Sequence, residues 1–128
     1  MYMQLNPDCV RDVLLSIEKQ SGFNTVICIT RQDFPKELHK YSYDEILYHF
    51  SQCAQSGFLT GFNSYDDGNM ICISDLTPKG HEFLANIRSA DVWSKVKEAA
   101  KQVGVSSLKS LMSIASQVVS QVISQHFD

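Results

Sequence analysis

The stretch Ser42–Ile73 reads SYDEILYHFSQCAQSGFLTGFNSYDDGNMICI. Ser42 with Glu45 three residues on has the spacing of a capping box, in which the serine oxygen takes a free N–H of the first helical turn. Ile46, Leu47, Phe50, Cys53 and Ala54 recur at three- and four-residue intervals, so the pattern predicts a helix over 42–55 with one buried face. Gly57 ends it. Phe58-Leu59-Thr60-Gly61-Phe62, then Asp66-Asp67-Gly68-Asn69, then Met70-Ile71-Cys72-Ile73 read as strand, tight turn and strand, a β-hairpin with its tip at 63–69.

Upstream, Asn6-Pro7-Asp8 is a helix start: asparagine suits the cap, proline the first helical position and aspartate the positive end of the helix dipole. Val10, Val13, Leu14 and Ile17 form the apolar stripe of that helix until Ser21-Gly22. Thr25–Thr30, TVICIT, is short, β-branched and apolar, which predicts a strand. Pro35–His39 makes at most one helical turn. Downstream, Thr77-Pro78 restarts helix, with Phe83, Leu84 and Ile87 inward. Asp91 is expected to cap a further helix that runs to Gly104. The last segment, 106–127, places Leu108, Leu111, Ala115, Val118 and Val122 on one stripe, so apolar and so weakly charged that it needs a partner surface.

A chain of 128 residues with 44% hydrophobic content closes one core without staples. The segment 1–10 has no basic region followed by an apolar run, and no stretch reaches the length of a membrane span, so a cytoplasmic protein is expected. Cys9, Cys28, Cys53 and Cys72 are far apart and have no zinc-site spacing; they are expected to be small buried thiols in a reducing compartment. The net charge of −3 disfavours charge-driven nucleic-acid binding and leaves room only for a local basic patch.

Helix, short strand, short helical turn, longer helix, hairpin and helix is the order of a winged helix-turn-helix. The expected fold is therefore mostly α with a small β-hairpin: a winged helix-turn-helix over 5–88 and a C-terminal helical extension over 91–127 for packing and oligomerisation. At YSYDEILYHFSQCAQSGFLTG and again at LTPKGHEFLANIRSADVWSKVKEA, the chain resembles a family of small uncharacterised winged-helix proteins of bacterial prophages and mobile elements. The resemblance covers about residues 5–101 and implies the fold and a phage or mobile-element context. It brings no catalytic residues to carry over.

No enzyme chemistry is expected. His81-Glu82 lacks the second histidine of HExxH because Ala85 stands there, Asp66–Asn69 lacks the spacing of a calcium loop, and Gly57–Gly61 lacks a phosphate-binding pattern. No cofactor and no metal are expected, and the candidates left are binding surfaces. The leading expectation is that the chain is a small phage or mobile-element regulator that binds DNA as a homo-oligomer, using Lys36, Lys40, His49, Gln52 and Asn63, with helix 42–55 in the groove and the hairpin on the backbone. As a protein-interaction adaptor or inhibitor acting on a host or phage protein, it would use Tyr43, Tyr48, Phe62 and Tyr65, aromatic types that dominate interfaces, with acidic neighbours that favour a basic partner. Either way the stripe Leu108, Leu111, Ala115, Val118 and Val122 is expected to build a homo-oligomer.

Overall fold

The computed structural model describes residues 4–104 and 107–127; the side chains of residues 126 and 127 are outside that description, as are residues 1–3 and Ser106, where the sequence reading begins the last helix. Helix α1, Pro7–Gln20, starts as its residues dictate: the Asn6 side chain accepts from the N–H groups of Asp8 and Cys9 at 3.1 and 3.4 Å. Strand β1 is Ile27–Thr30, shorter than the expected 25–30, and a 3-10 turn at Lys36–Leu38 precedes helix α2, Tyr43–Gln55. Ser42 Oγ accepts from Glu45 N–H at 3.1 Å. At the other end Gly57 turns left-handed at φ +81, with Phe58 N–H donating to Cys53 and Gly57 N–H to Ala54, the paired bonds of a Schellman cap.

The hairpin that follows is bent into two pieces. Strands β2, Leu59–Thr60, and β5, Asp75–Leu76, pair at its base; β3, Asn63–Tyr65, and β4, Met70–Ile73, pair toward its tip. The bend falls at Gly61, at φ +65, where any Cβ would come within 2.2 Å of Ser74 Oγ. Strand β1 pairs antiparallel with β4 to complete a three-stranded sheet in the order β1-β4-β3. The connection between β3 and β4 is tight because Asp66 and Asp67 are both left-handed at φ 54 and Gly68 follows at φ 89. Short polar side chains and glycine tolerate that backbone, which matches the twist of paired strands.

Helices α3, Pro78–Ile87, α4, Ala90–Val103, and α5, Leu108–Phe127, complete the molecule, which is mostly helical with a small antiparallel sheet. Thr77 Oγ1 accepts from Gly80 N–H and donates to Gly57 C=O, so one hydroxyl ties the start of α3 to the end of α2. Gly80 sits so close to Phe58 that a Cβ would meet the Phe58 carbonyl oxygen at 2.3 Å. Helix α4 is capped by Ser89, whose Oγ accepts from Val92 N–H, and Asp91 lies within its first turn; this corrects the expected cap.

One continuous buried cluster runs from Val10, Leu14 and Ile17 through Ile46, Phe50, Phe58, Phe83 and Leu84 to Trp93, Val96, Leu108, Leu111, Ala115 and Val118. Four of the five residues expected to form an oligomer contact are therefore buried in their own chain, and Val122 packs partly against the same cluster. The reason is the neighbouring helices: α4 and α3 lie against α5 and take up its apolar stripe. Polar ties fasten α1 to α3 and α4. Trp93 Nε1–H donates to Asp8 at 2.9 Å, Lys97 lies 3.2 Å from the same carboxylate, and Arg11 donates to the Ile87 and Arg88 carbonyls at the end of α3.

The cysteines divide. Cys9 and Cys53 are buried thiols, and burial pushes the Cys9 thiol up to about 12. Cys28 and Cys72 are not buried thiols: they face each other across β1 and β4 and are joined in a disulfide. Alternation along β1 sends Ile27 and Ile29 into the core and Cys28 outward, and the register sets Cys72 opposite it.

Candidate partner-binding face

Helix α2 and the hairpin tip form one surface because side-chain contacts hold them together. Tyr43 Oη–H donates to the Gly68 carbonyl at 2.7 Å. Arg31, just past β1, donates from Nε to Asn69 Oδ1 at 2.9 Å and from Nη2 to Asp44 Oδ1 at 3.0 Å. Its guanidinium also lies 4.7 Å from the centre of the Tyr43 ring. Leu47 backs Gly68 from below, leaving 3.0 Å for any added Cβ. The tip is thus a pinned turn, with Asp66 and Asp67 exposed and Gly68 buried.

This arrangement moves two expected contact residues inside. His49 is 0% exposed, so it is no DNA contact: its Nε2 accepts from the Asn6 backbone N–H at 2.8 Å and its Nδ1 donates to the Glu45 carbonyl at 2.7 Å. Burial pushes its pKa below the ordinary value, against the smaller opposing pull of the Glu45 carbonyl and charge. Tyr43 is likewise buried and is a clamp between α2 and the tip, which removes it from an outward aromatic face; burial raises its phenol. The spacing could have revealed both, since 43, 46, 49, 50 and 53 share one helical face.

The remaining candidates are dispersed. Lys40 is exposed but lies 3.1 Å from Asp12 of α1, whose carboxylate also accepts from Tyr41 Oη–H at 2.6 Å. Lys36 is exposed on the 3-10 turn and lines a cleft with Lys19, Cys28 and Glu37. Gln52 is half-buried on α2, and exposed Asn63 on β3 donates to its neighbour Gly61 carbonyl at 3.4 Å. Tyr48 is half-buried with its ring edge-on to His49, Phe62 packs partly against the core, and Tyr65 is 48% exposed.

What the surface does present is negative charge. Asp44 at the start of α2 pairs with Arg31, which also donates to Asn69; Glu45 follows it on the helix, and Asp66 and Asp67 are exposed at the tip. No Lys or Arg lies within 42–78. Among the described residues there is no cluster of His, Cys, Asp or Glu able to hold a metal ion, and no helix long and apolar enough to cross a membrane.

The fold and this face define a small, mostly helical protein with an antiparallel three-stranded sheet and an acidic surface where α2 meets the hairpin. The chain belongs to the family described as "Hypothetical protein (DUF2513)", whose profile matches residues 4–106 and so ends before α5. It is also similar to a protein of Haemophilus influenzae described as "Uncharacterized protein", 27% identical over 123 residues that cover 94% of this chain and 99% of the relative. No solved structure matches it.

Proposed function

We propose that this chain is a winged-helix module, of phage or mobile-element context as its resemblance implies, that binds a basic protein of host or phage through the outward side of α2 and the hairpin tip. The element order supports the winged-helix reading, as does the pairing of β1 on the outer side of β4, with α2 in the position of a recognition helix and 63–69 as the wing. The observation that carries the choice of partner is the charge of that face: Asp66 and Asp67 are exposed at the tip, Asp44 is already paired with Arg31, and no Lys or Arg lies within 42–78. Phosphate binding draws its affinity from Lys and Arg that displace counterions, and here the ions nearest the groove would repel the backbone. The same charges steer a cationic protein surface, with Tyr48 and Tyr65 as apolar contacts beside them.

The test is capture from host lysate by the full chain, with and without nuclease, against Asp44→Asn/Glu45→Gln/Asp66→Asn/Asp67→Asn and against Tyr48→Ala. A basic protein retained after nuclease and released by the neutralised variant supports the reading. Loss of all capture on nuclease treatment, or retardation of locus DNA with a steep salt dependence, overturns it in favour of a DNA-binding regulator.

A further inference from the structure

Four cysteines occupy two chemically different places. Cys9 and Cys53 are sealed in the core, where burial raises both thiols out of the reactive range. Cys28 and Cys72 occupy partner positions on adjacent antiparallel strands, on the outward side of the sheet, with Cα atoms 4.1 Å apart. Their exposure differs: Cys28 is open to solvent at the edge strand, and Cys72, flanked by β1 and β3, is only 8% exposed. A cleft lined by Lys19, Phe34, Pro35 and Lys36 leads to the Cys28 side.

From this asymmetry we infer that Cys28–Cys72 is a reversible thiol–disulfide couple, a modification site at which a small intracellular thiol exchanges at the Cys28 sulfur. An incoming thiolate forms a bond to Cys28 Sγ, the Sγ–Sγ bond breaks, and Cys72 leaves as a thiolate that takes up a proton. A second thiolate attacks the incoming sulfur of that mixed disulfide and releases Cys28 as the second thiol. Two thiols have then become one small-molecule disulfide, and the two electrons they lost reside on Cys28 and Cys72. Attack falls on Cys28 because exchange needs a nearly linear approach to the sulfur attacked, and Cys28 is the accessible one.

The couple acts on the partner-binding face through β1. Three residues beyond Cys28, Arg31 donates its backbone N–H to the Asn69 carbonyl at 3.0 Å and holds Asn69 and Asp44 with its side chain. The disulfide joins β1 to the strand that begins beside Asn69, so the oxidised form holds the Arg31 clamp in register and the reduced form relies on strand hydrogen bonds alone. This holds whatever partner the face recognises.

The full chain is equilibrated in mixtures of reduced and oxidised glutathione, quenched with acid, alkylated and mapped by mass spectrometry. The expected result is one reversible transition involving two thiols per chain, with the mixed disulfide on Cys28 and none on Cys9 or Cys53. Reduction is expected to lower Tm by roughly 10 °C, from the loss of a cross-link across 44 residues. Faster hydrogen exchange at Arg31 should accompany it, and Cys28→Ser should melt like the reduced chain in either buffer. A pair that stays joined in reduced glutathione until the chain unfolds, a mixed disulfide on Cys72, or a pair that never forms in oxidised glutathione overturns the inference.

Discussion

Acidification from about pH 7.5 to about pH 5 tests the internal position of His49 directly. In the fold its Nε2 is an acceptor for Asn6 N–H, so a proton there would set one N–H against another inside the core. Burial lowers its pKa below the 6.5 that it has in an open chain. A group with a depressed folded pKa and a neutral folded form contributes its full stability above the unfolded value and loses it as pH falls below 6.5 toward the folded value. If the folded imidazole stays neutral to pH 5, the unfolded chain gains at most about 2 kcal/mol from its protonation, which for a domain of this size is a fall in Tm of roughly 7 °C. Glu18, held low by its hydrogen bond to Arg88, and Asp8, held low because Trp93 and Lys97 outweigh its burial, lose their contributions in a more acidic window and leave this one clear. The assay is urea unfolding across the pH series for the natural chain and for His49→Gln, in which the amide oxygen accepts in place of Nε2 and does not titrate. Subtracting the two series cancels every other histidine. Parallel curves for the two proteins, or a folded His49 whose NMR shifts titrate at the ordinary value, would refute the reasoning.

Two further outcomes follow from the packing. Gly80→Ala should destabilise the protein by about 1–3 kcal/mol although alanine is the better helix former by about 1 kcal/mol, because its Cβ would press on the Phe58 carbonyl oxygen; a thermal melt showing a higher Tm would contradict the close approach. Leu111→Ala should cost about 2–5 kcal/mol in chemical denaturation and Ile123→Ser, at 52% exposure, within about 0.5 kcal/mol; equal effects would mean that α5 does not pack in its own chain.

Much of the fold is legible residue by residue. Asn6-Pro7, Ser42 and Thr77-Pro78 start helices, and Gly57 and Gly104 stop them, because caps act on backbone groups within one turn and need no distant partner. Asp66-Asp67-Gly68 marks a hairpin turn for the same local reason. The candidate site was less legible. His49 as a DNA contact and Tyr43 as an interface aromatic both need an outward side chain, whereas their spacing puts them on the buried face; only the approach of Asn6 and Gly68 supplies the hydrogen bonds that make their polar burial tolerable.

The sequence by itself determined the starts of α1, α2 and α3, that a hairpin follows α2, and that residues 42–78 carry acid and no Lys or Arg. Only the tertiary structure decided that β1 joins β4, that Cys28 therefore meets Cys72, and that the stripe of α5 is covered by α3 and α4 of its own chain. Local patterns record what a segment's backbone and period favour. Which segment lies against which is settled by summed burial across the whole core, and no stretch of a few residues encodes that sum.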